Sequence, residues 1–351
     1  MPPPKVVVPA PELTAFFAEL FTRTGTSAEH AATVAEVLAW ASLRGVDSHG
    51  ASRVPRYLEL LDSGAANKNP DLRVLSTAAA VAVVDADRAP GPVALTAAAD
   101  EAIARARTNG IAAVGVRRTV HTGAIGYYTS RIADAGLIGL GFVAGMPNMG
   151  YTGVKGAAVA TSPLAIAVPA ATHDTPLLDM ATAGIALGRI AQFRNAGKQL
   201  PEGTAATADG TPTTDPTLAK MPLPLGGAKG AGMSLLFELL TSVLVGAPIL
   251  SSFHSDDPEG RVHRQNALII ALNPAAFGDP EQFTAAVDTT LETLKSLPRA
   301  DEQTDIRYPG ESSSATAQQR AATGIPVAAT VWAELETAAE KLGVAVPAAV
   351  G

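Results

Sequence analysis

Apolar residues recur with helical spacing near the start and end of this chain, and strand-like runs dominate between. Over residues 11–62 the pattern predicts three helices. Leu13, Phe16, Phe17 and Leu20 share one face of the first, and Gly25 ends it. Ser27 is placed to cap the second, whose apolar face is Val34, Val37, Leu38 and Ala41. The third follows Ser48 and carries Val54, Tyr57, Leu58 and Leu61 as far as Ser63-Gly64. Pro55 lies past the position where proline is most comfortable, which predicts a late or irregular start.

From about residue 75 the texture alternates. Residues 79–84, 111–116, 137–144, 164–168, 177–180 and 267–272 read as strands, and 94–108, 125–135, 181–195 and 280–297 as helices. Alternation of this kind predicts an α/β sheet domain. Residues 197–228 form a long Gly/Pro/Thr-rich connection, a length that usually marks a functional loop or one packed on a partner. Residues 233–244 form a strongly apolar helix, expected to be buried or at a subunit interface, and 251–264 are polar and expected to be exposed. The tail has a turn at Tyr308-Pro309-Gly310-Glu311 and two helices, the last over 327–342.

Composition narrows the function classes. The chain has 351 residues, 47% of them hydrophobic, enough for a substantial core and two domains. Lys and Arg number 26 against 33 Asp and Glu, a net charge of −7 without a block of like charges. That argues against a nucleic-acid or polybasic membrane partner. The absence of cysteine excludes disulfides, thiolate catalysis and Cys-ligated metal centres. The proline-broken start at Met1-Pro2-Pro3-Pro4 lacks the apolar run of a signal peptide, and no stretch reaches the roughly 18 apolar residues of a membrane span. The expectation is a soluble, cytoplasmic enzyme.

Reactive groups concentrate at 44–57. Arg44, Asp47, Ser48, His49, Arg53 and Arg56 bring a carboxylate, a hydroxyl, an imidazole and three guanidinium groups together where one helix ends and another begins. Capping by Asp47 or Ser48 would put His49 in the first turn and Arg53 four residues on, on one helix face. A base beside a carboxylate clamp suits proton removal from a hydroxy acid; a capped surface helix with a solvated basic face explains the same residues.

Other junctions carry similar ambiguity. His121-Thr122-Gly123-Ala124-Ile125 follows a strand and opens a helix, an anion cradle in the place where α/β sheets gather ligands, although an isolated histidine is more often merely packed. Asp179-Met180-Ala181 puts a carboxylate at another strand-to-helix junction, where helix capping is the plain alternative. The run Gly226-Gly227-Ala228-Lys229-Gly230-Ala231-Gly232 is not a Walker A loop, yet it offers backbone N–H groups and a cation to an anion, or a flexible hinge. The glycines at 139, 141 and 145 lie inside a strand and have the wrong spacing for a dinucleotide fingerprint, so tight strand packing accounts for them better. His254, Asp256, Asp257 and His263, like His173-Asp174, lack established metal-ligand spacing.

Taken together, the ordered segments resemble the malate/L-lactate dehydrogenase family of NAD(P)-dependent oxidoreductases, distinct from the lactate and malate dehydrogenases with Rossmann folds. The matching pieces are Gly45 to Gly50, His121 with Gly123 and Gly126-Tyr127-Tyr128, Leu178 to Thr182, Pro201-Glu202-Gly203, Asp209 to Pro216, Gly226 to Gly230, and Pro309-Gly310-Glu311. The resemblance implies a non-Rossmann α/β fold: a helical part from 1–74 plus 298–351 that holds the catalytic histidine, and a cofactor-binding sheet domain over 75–297. It implies a homodimer with NAD or NADP bound near the subunit interface. His49 matches the catalytic acid/base, Ser48 its hydrogen-bonded neighbour, with Asp47 in support, and Arg53 the holder of the substrate carboxylate. His121, Thr122, Gly123, Ala124 and Ile125, then Asp179, Met180 and Ala181, Lys229 and Gly230, and Arg307 with Pro309, Gly310 and Glu311 match cofactor-contacting segments. Thr161 and Ser162 fall in the substrate-contacting one.

Departures from the family pattern bear on the substrate. Thr119-Val120-His121-Thr122-Gly123 replaces Ser-Asn-His-Phe-Gly, Ala160-Thr161-Ser162-Pro163 replaces Gly-Thr-Asn-Pro, and Ala231 replaces a common tyrosine. These changes imply a roomier and less polar pocket. The reaction implied is interconversion of a 2-hydroxy acid and its 2-oxo acid. The alternatives are reduction of cyclic imino acids, whose enzymes in the family place aspartate where this chain has Arg189, and a cofactor-binding protein with little turnover.

Overall fold

In the computed structural model, which describes residues 5–349, the two ends of the chain are tied together. The proline-rich start, residues 1–4, lies outside the described residues. Strand β1 (Lys5–Val8) pairs antiparallel with β11 (Ile325–Ala328). Between them run α1 (Ala10–Arg23), α2 (Ala28–Leu43) and α3 (Val54–Asp62), then β2 (Arg73–Ala78), β3 (Val81–Asp85), α4 (Gly91–Asn109), β4 (Ile111–Thr119), α5 (Gly126–Asp134), β5 (Ile138–Gly145), β6 (Leu164–Ala167), β7 (Leu177–Met180) and α6 (Leu187–Asn195). The second half holds β8 (Ala205–Ala206), β9 (Met221–Pro222), α7 (Ala228–Glu238), α8 (Leu250–Phe253), β10 (Gln265–Leu272), α9 (Pro280–Ser296), α10 (Glu311–Thr323) and α11 (Ala329–Leu342).

The seven-stranded sheet has the order β2-β3-β4-β10-β5-β6-β7. Only β3 and β4 pair in parallel, joined by the α4 crossover; the other five pairings are antiparallel. The alternating texture therefore yields an α/β protein, but without the repeated parallel crossovers of a dinucleotide-binding fold. The glycines of β5 serve packing as expected: a Cβ at Gly139 would stand 2.7 Å from the Thr129 carbonyl oxygen of α5. One apolar cluster runs from Phe17, Leu20 and Leu38 through Val84, Val114 and Ile269 to Trp332 and Leu335. It joins the terminal helices to the sheet. Among the described residues, no helix is long and apolar enough to cross a membrane.

Several boundaries differ from the sequence expectation. The helix expected at 181–195 begins only at Leu187 and the apolar one expected from Met233 begins at Ala228. The latter runs on through a single π turn, Leu239–Val243. The three strands β1, β2 and β11 are pieces whose pairing partners lie elsewhere in the chain or in a short hairpin, and no periodicity announces them.

Candidate active site

The 44–57 segment is not one helix. Asp47–His49 and Ala51–Arg53 form two successive 3₁₀ turns, and α3 starts at Val54 with Pro55 in its first turn, where a missing N–H costs nothing. His49 and Arg53 therefore do not meet on a helical face. They meet through Ser48: its hydroxyl lies 2.9 Å from His49 Nδ1, and its carbonyl accepts a 2.7 Å bond from Arg53 Nε. Ser42 of α2 pins the turn, because its hydroxyl accepts the Ala51 N–H at 3.0 Å.

That packing explains Gly50. A Cβ there would lie 2.2 Å from Ser42 Oγ and 2.9 Å from the Ser42 backbone nitrogen, so the turn fits only a glycine. Gly50→Ala is expected to cost about 1–3 kcal/mol through overpacking. It should also reduce turnover, since the displaced backbone carries Ser48 and His49. Thermal unfolding and steady-state assay of the variant check both; an unchanged melting temperature would contradict the close packing.

Asp47 does not face the imidazole. Its carboxylate accepts a 2.6 Å bond from Arg320 in α10, tying the turn to the C-terminal helices. The charge acting on His49 is that of Arg53. Burial first, and Arg53 second, lower the His49 pKa to about 4, so its imidazole is neutral at pH 7.

His121 completes the cleft from the end of β4. Its ring stacks on that of His49 with centroids 5.6 Å apart and planes inclined by 22°. The buried Tyr57 hydroxyl lies 2.9 Å from His121 Nδ1 and 3.0 Å from its carbonyl oxygen, and the Gly123 N–H donates to the same Nδ1 at 3.3 Å. A backbone N–H can only donate, so Nδ1 is an acceptor and the proton of neutral His121 sits on Nε2. Burial, then Arg53, holds His121 well below the ordinary histidine range. The loop is fastened to β10, whose Gln265 side chain accepts the Thr122 N–H at 2.8 Å. Gly91 lets α4 approach it: a Cβ there would be 2.3 Å from the His121 carbonyl oxygen. Sequence reading placed Tyr57 only on an apolar helix face and passed over Gln265. The spacing of Tyr57, four residues after Arg53, was the available signal.

The expected cofactor segments converge on the edge strand β7. Asp179 accepts the Gly126 N–H at the start of α5 at 2.8 Å. Leu177 donates its N–H to the Pro309 carbonyl at 2.9 Å, and Thr182, just past β7, accepts the Leu225 N–H at 2.9 Å before Lys229 and Gly230 open α7. Desolvation of the Asp179 carboxyl raises its pKa to about 6 and the Gly126 bond opposes the rise, while the residue keeps solvent contact along β7. Ala124 and Ile125 are buried, with Met180 and Ala181 half-buried. Glu311 binds Lys295 and accepts the Tyr308 N–H, whereas Arg307 reaches Ser312 at 2.8 Å.

The remaining expected residues bond to partners other than the imidazoles. Thr161 is tied by its N–H to Asn148 Oδ1 at 2.9 Å, and Ser162 is buried with its hydroxyl 3.3 Å from that of Ser234. Thr122 and Ala231, two of the departures, are also buried. Arg189 bonds Gln192 at 2.9 Å and lies over the Phe193 ring, although its helix begins beside Ser48.

Residues 8–336 match the family model described as malate/L-lactate dehydrogenase. The chain belongs to this family. It is 36% identical over 308 residues to the ureidoglycolate dehydrogenase (NAD(+)) of Escherichia coli O157:H7, covering 87% of this chain and 88% of that protein. It is 34% identical over 296 residues to a Δ1-pyrroline-2-carboxylate/Δ1-piperideine-2-carboxylate reductase of Pseudomonas putida, covering 83% and 86% respectively. The solved sulfolactate dehydrogenase of Methanocaldococcus jannaschii superposes with a TM-score of 0.87 at 31% identity, covering 96% of this chain and 98% of that one. As a member of the malate/L-lactate dehydrogenase family, the chain is an oxidoreductase.

Proposed function

We propose that this protein interconverts a 2-hydroxy acid and its 2-oxo acid with NAD or NADP, His49 acting as acid/base and Arg53 holding the substrate carboxylate. The observation that carries the reading is the neutral imidazole held through Ser48 within one turn of a guanidinium. With Nδ1 engaged by Ser48, Nε2 is the nitrogen free to take the hydroxyl proton as the carbonyl forms. Arg53 keeps its terminal guanidinium nitrogens available for a carboxylate while Nε is anchored on the Ser48 carbonyl. His121, neutral and protonated on Nε2, would donate a hydrogen bond to the oxygen at C2 or to the cofactor. Asp47 acts at a distance, by fixing the turn to α10.

The bound nicotinamide would supply hydride transfer. The residues around β7 fit such a group: Thr182 has a buried hydroxyl without a partner among the described residues, and Lys229 stands at the start of α7 where an anion is favoured. Asp179, Met180, Ala181, Gly230, Ile125 and Glu311 would line it. The test is oxidation of reduced NAD and NADP, followed spectroscopically against a panel of 2-oxo acids and of pyrroline and piperideine carboxylates. Turnover with 2-oxo acids is expected. Exclusive turnover of the imines would replace this reading with the second one, which the Pseudomonas putida relative favours. Cofactor binding without turnover of either class would leave a binding protein.

A second copy of the chain completes the proposed assembly. Leu236, Leu239, Leu240, Val243 and Leu244 recur at helical spacing along α7 and its π turn, each between 44% and 64% exposed. A continuous apolar stripe of this kind marks an interaction surface; the family resemblance implies a homodimer, and we place the second protomer over this stripe. Sedimentation velocity should find a dimer for the native protein and a monomer for Leu240→Glu/Leu244→Glu. A native monomer at micromolar concentration would contradict the assignment.

A further inference from the structure

A crevice between α2, α4 and α5 is lined by none of Ser48, His49, Arg53, Tyr57 and His121. Its volume is 450 Å³, within the range of about 300–1,000 Å³ usual for small-molecule sites. Trp40 and Ile103 give it apolar walls. Its floor includes Ser130, which is 5% exposed and whose hydroxyl has no hydrogen-bond partner among the described residues. A buried hydroxyl left unmatched is costly, and one that lines a cavity is available to whatever enters.

The charges around the crevice fall into two sets. Asp100 and Arg131 answer each other through two bonds of 2.6 and 3.1 Å, bridging α4 to α5. Tyr127 donates to Glu36 at 2.8 Å, bridging α5 to α2, and burial together with that bond holds the phenol protonated. These bridges fix the walls before any ligand arrives. Arg107 and Asp134 form the other set: among the described residues, neither makes a side-chain hydrogen bond or ion pair, and Arg44 and Arg131 act on Asp134 only through space. A simple anion would meet three carboxylates around the crevice, and a simple cation would leave Arg107 unanswered. A molecule carrying both charges satisfies the two open groups together.

We propose that this crevice binds a small zwitterion of the amino-acid class, its carboxylate at Arg107, its ammonium toward Asp134 and Glu36, and the Ser130 hydroxyl as a further partner. Isothermal titration of the native protein with each of the twenty standard amino acids, to about 20 mM, tests it. At least one should bind saturably with about one site per chain. Its N-acetyl derivative and its amide should bind about tenfold or more weakly, as should the parent amino acid to Arg107→Gln and to Asp134→Asn, both surface changes. Arg53→Gln, which removes the proposed substrate clamp, should leave the titration unchanged and so separates this site from the active one. Absence of saturable binding by all twenty, equal binding of the derivatives, full affinity in both crevice variants, or loss of binding in Arg53→Gln would each overturn the proposal.

Discussion

Replacing His49 by glutamine is expected to lower kcat for 2-oxo acid reduction and 2-hydroxy acid oxidation about 10²–10⁴-fold, with KM changed little. The amide can keep a hydrogen bond to Ser48 and fills similar space, so the turn at 47–53 should survive. What it lacks is a nitrogen that can take up the substrate proton and return it. His121 stacks on His49 and is the nearest candidate to substitute for it, but its Nδ1 is occupied by Tyr57 and Gly123, and burial with Arg53 holds it well below the ordinary histidine range. It should not rescue the reaction. Steady-state kinetics in both directions, with circular dichroism to show an intact fold, measures the loss. A variant that turns over within a few-fold of the native protein would remove His49 from the chemistry and move the search to His121.

Which residues meet was more legible in the sequence than the geometry of their meeting. Ser48, His49 and Arg53 are neighbours in the chain, so their meeting required only a local turn, and their residue types suited a base and a clamp as well as a capped basic helix. The helical-face route expected for that meeting is not the one used, because Pro55 delays α3 and two 3₁₀ turns take its place. Asp47 could not be placed from local sequence, since its partner Arg320 lies 273 residues away. The same limit applies to the sheet. Strand texture identified β4, β5 and β10 individually, but nothing local says that β10 inserts between the other two and makes the sheet mainly antiparallel. Gly50 and Gly91 are likewise intelligible only once Ser42 and the His121 backbone stand against them.

Arg53 should separate two effects that a single substitution would merge. Arg53→Lys keeps the positive charge and loses the planar fork, so KM for the acid substrate is expected to rise about 10–10²-fold, the worth of a charge-assisted hydrogen bond. The acid limb of kcat/KM, which reports the free protein, should stay near the His49 value of about 4. Arg53→Gln removes the charge as well. KM should rise further, and the limb should move upward, part of the way toward the ordinary histidine value, because burial remains as the larger cause of the depression. The sign follows from the groups involved: a cation beside an imidazole disfavours imidazolium, so its removal makes the proton easier to hold. Bound substrate should do something similar in the native protein, since its carboxylate neutralises Arg53. The limb of kcat should therefore lie at higher pH than that of kcat/KM, and reduction, which needs the protonated imidazole, benefits from that rise. Profiles of both parameters from pH 3.5 to 8 in the native protein and the two variants provide the comparison. Equal KM in Arg53→Lys and the native protein would exclude the fork as the carboxylate clamp. An acid limb that stays in place in Arg53→Gln would show that the charge governing His49 comes from elsewhere.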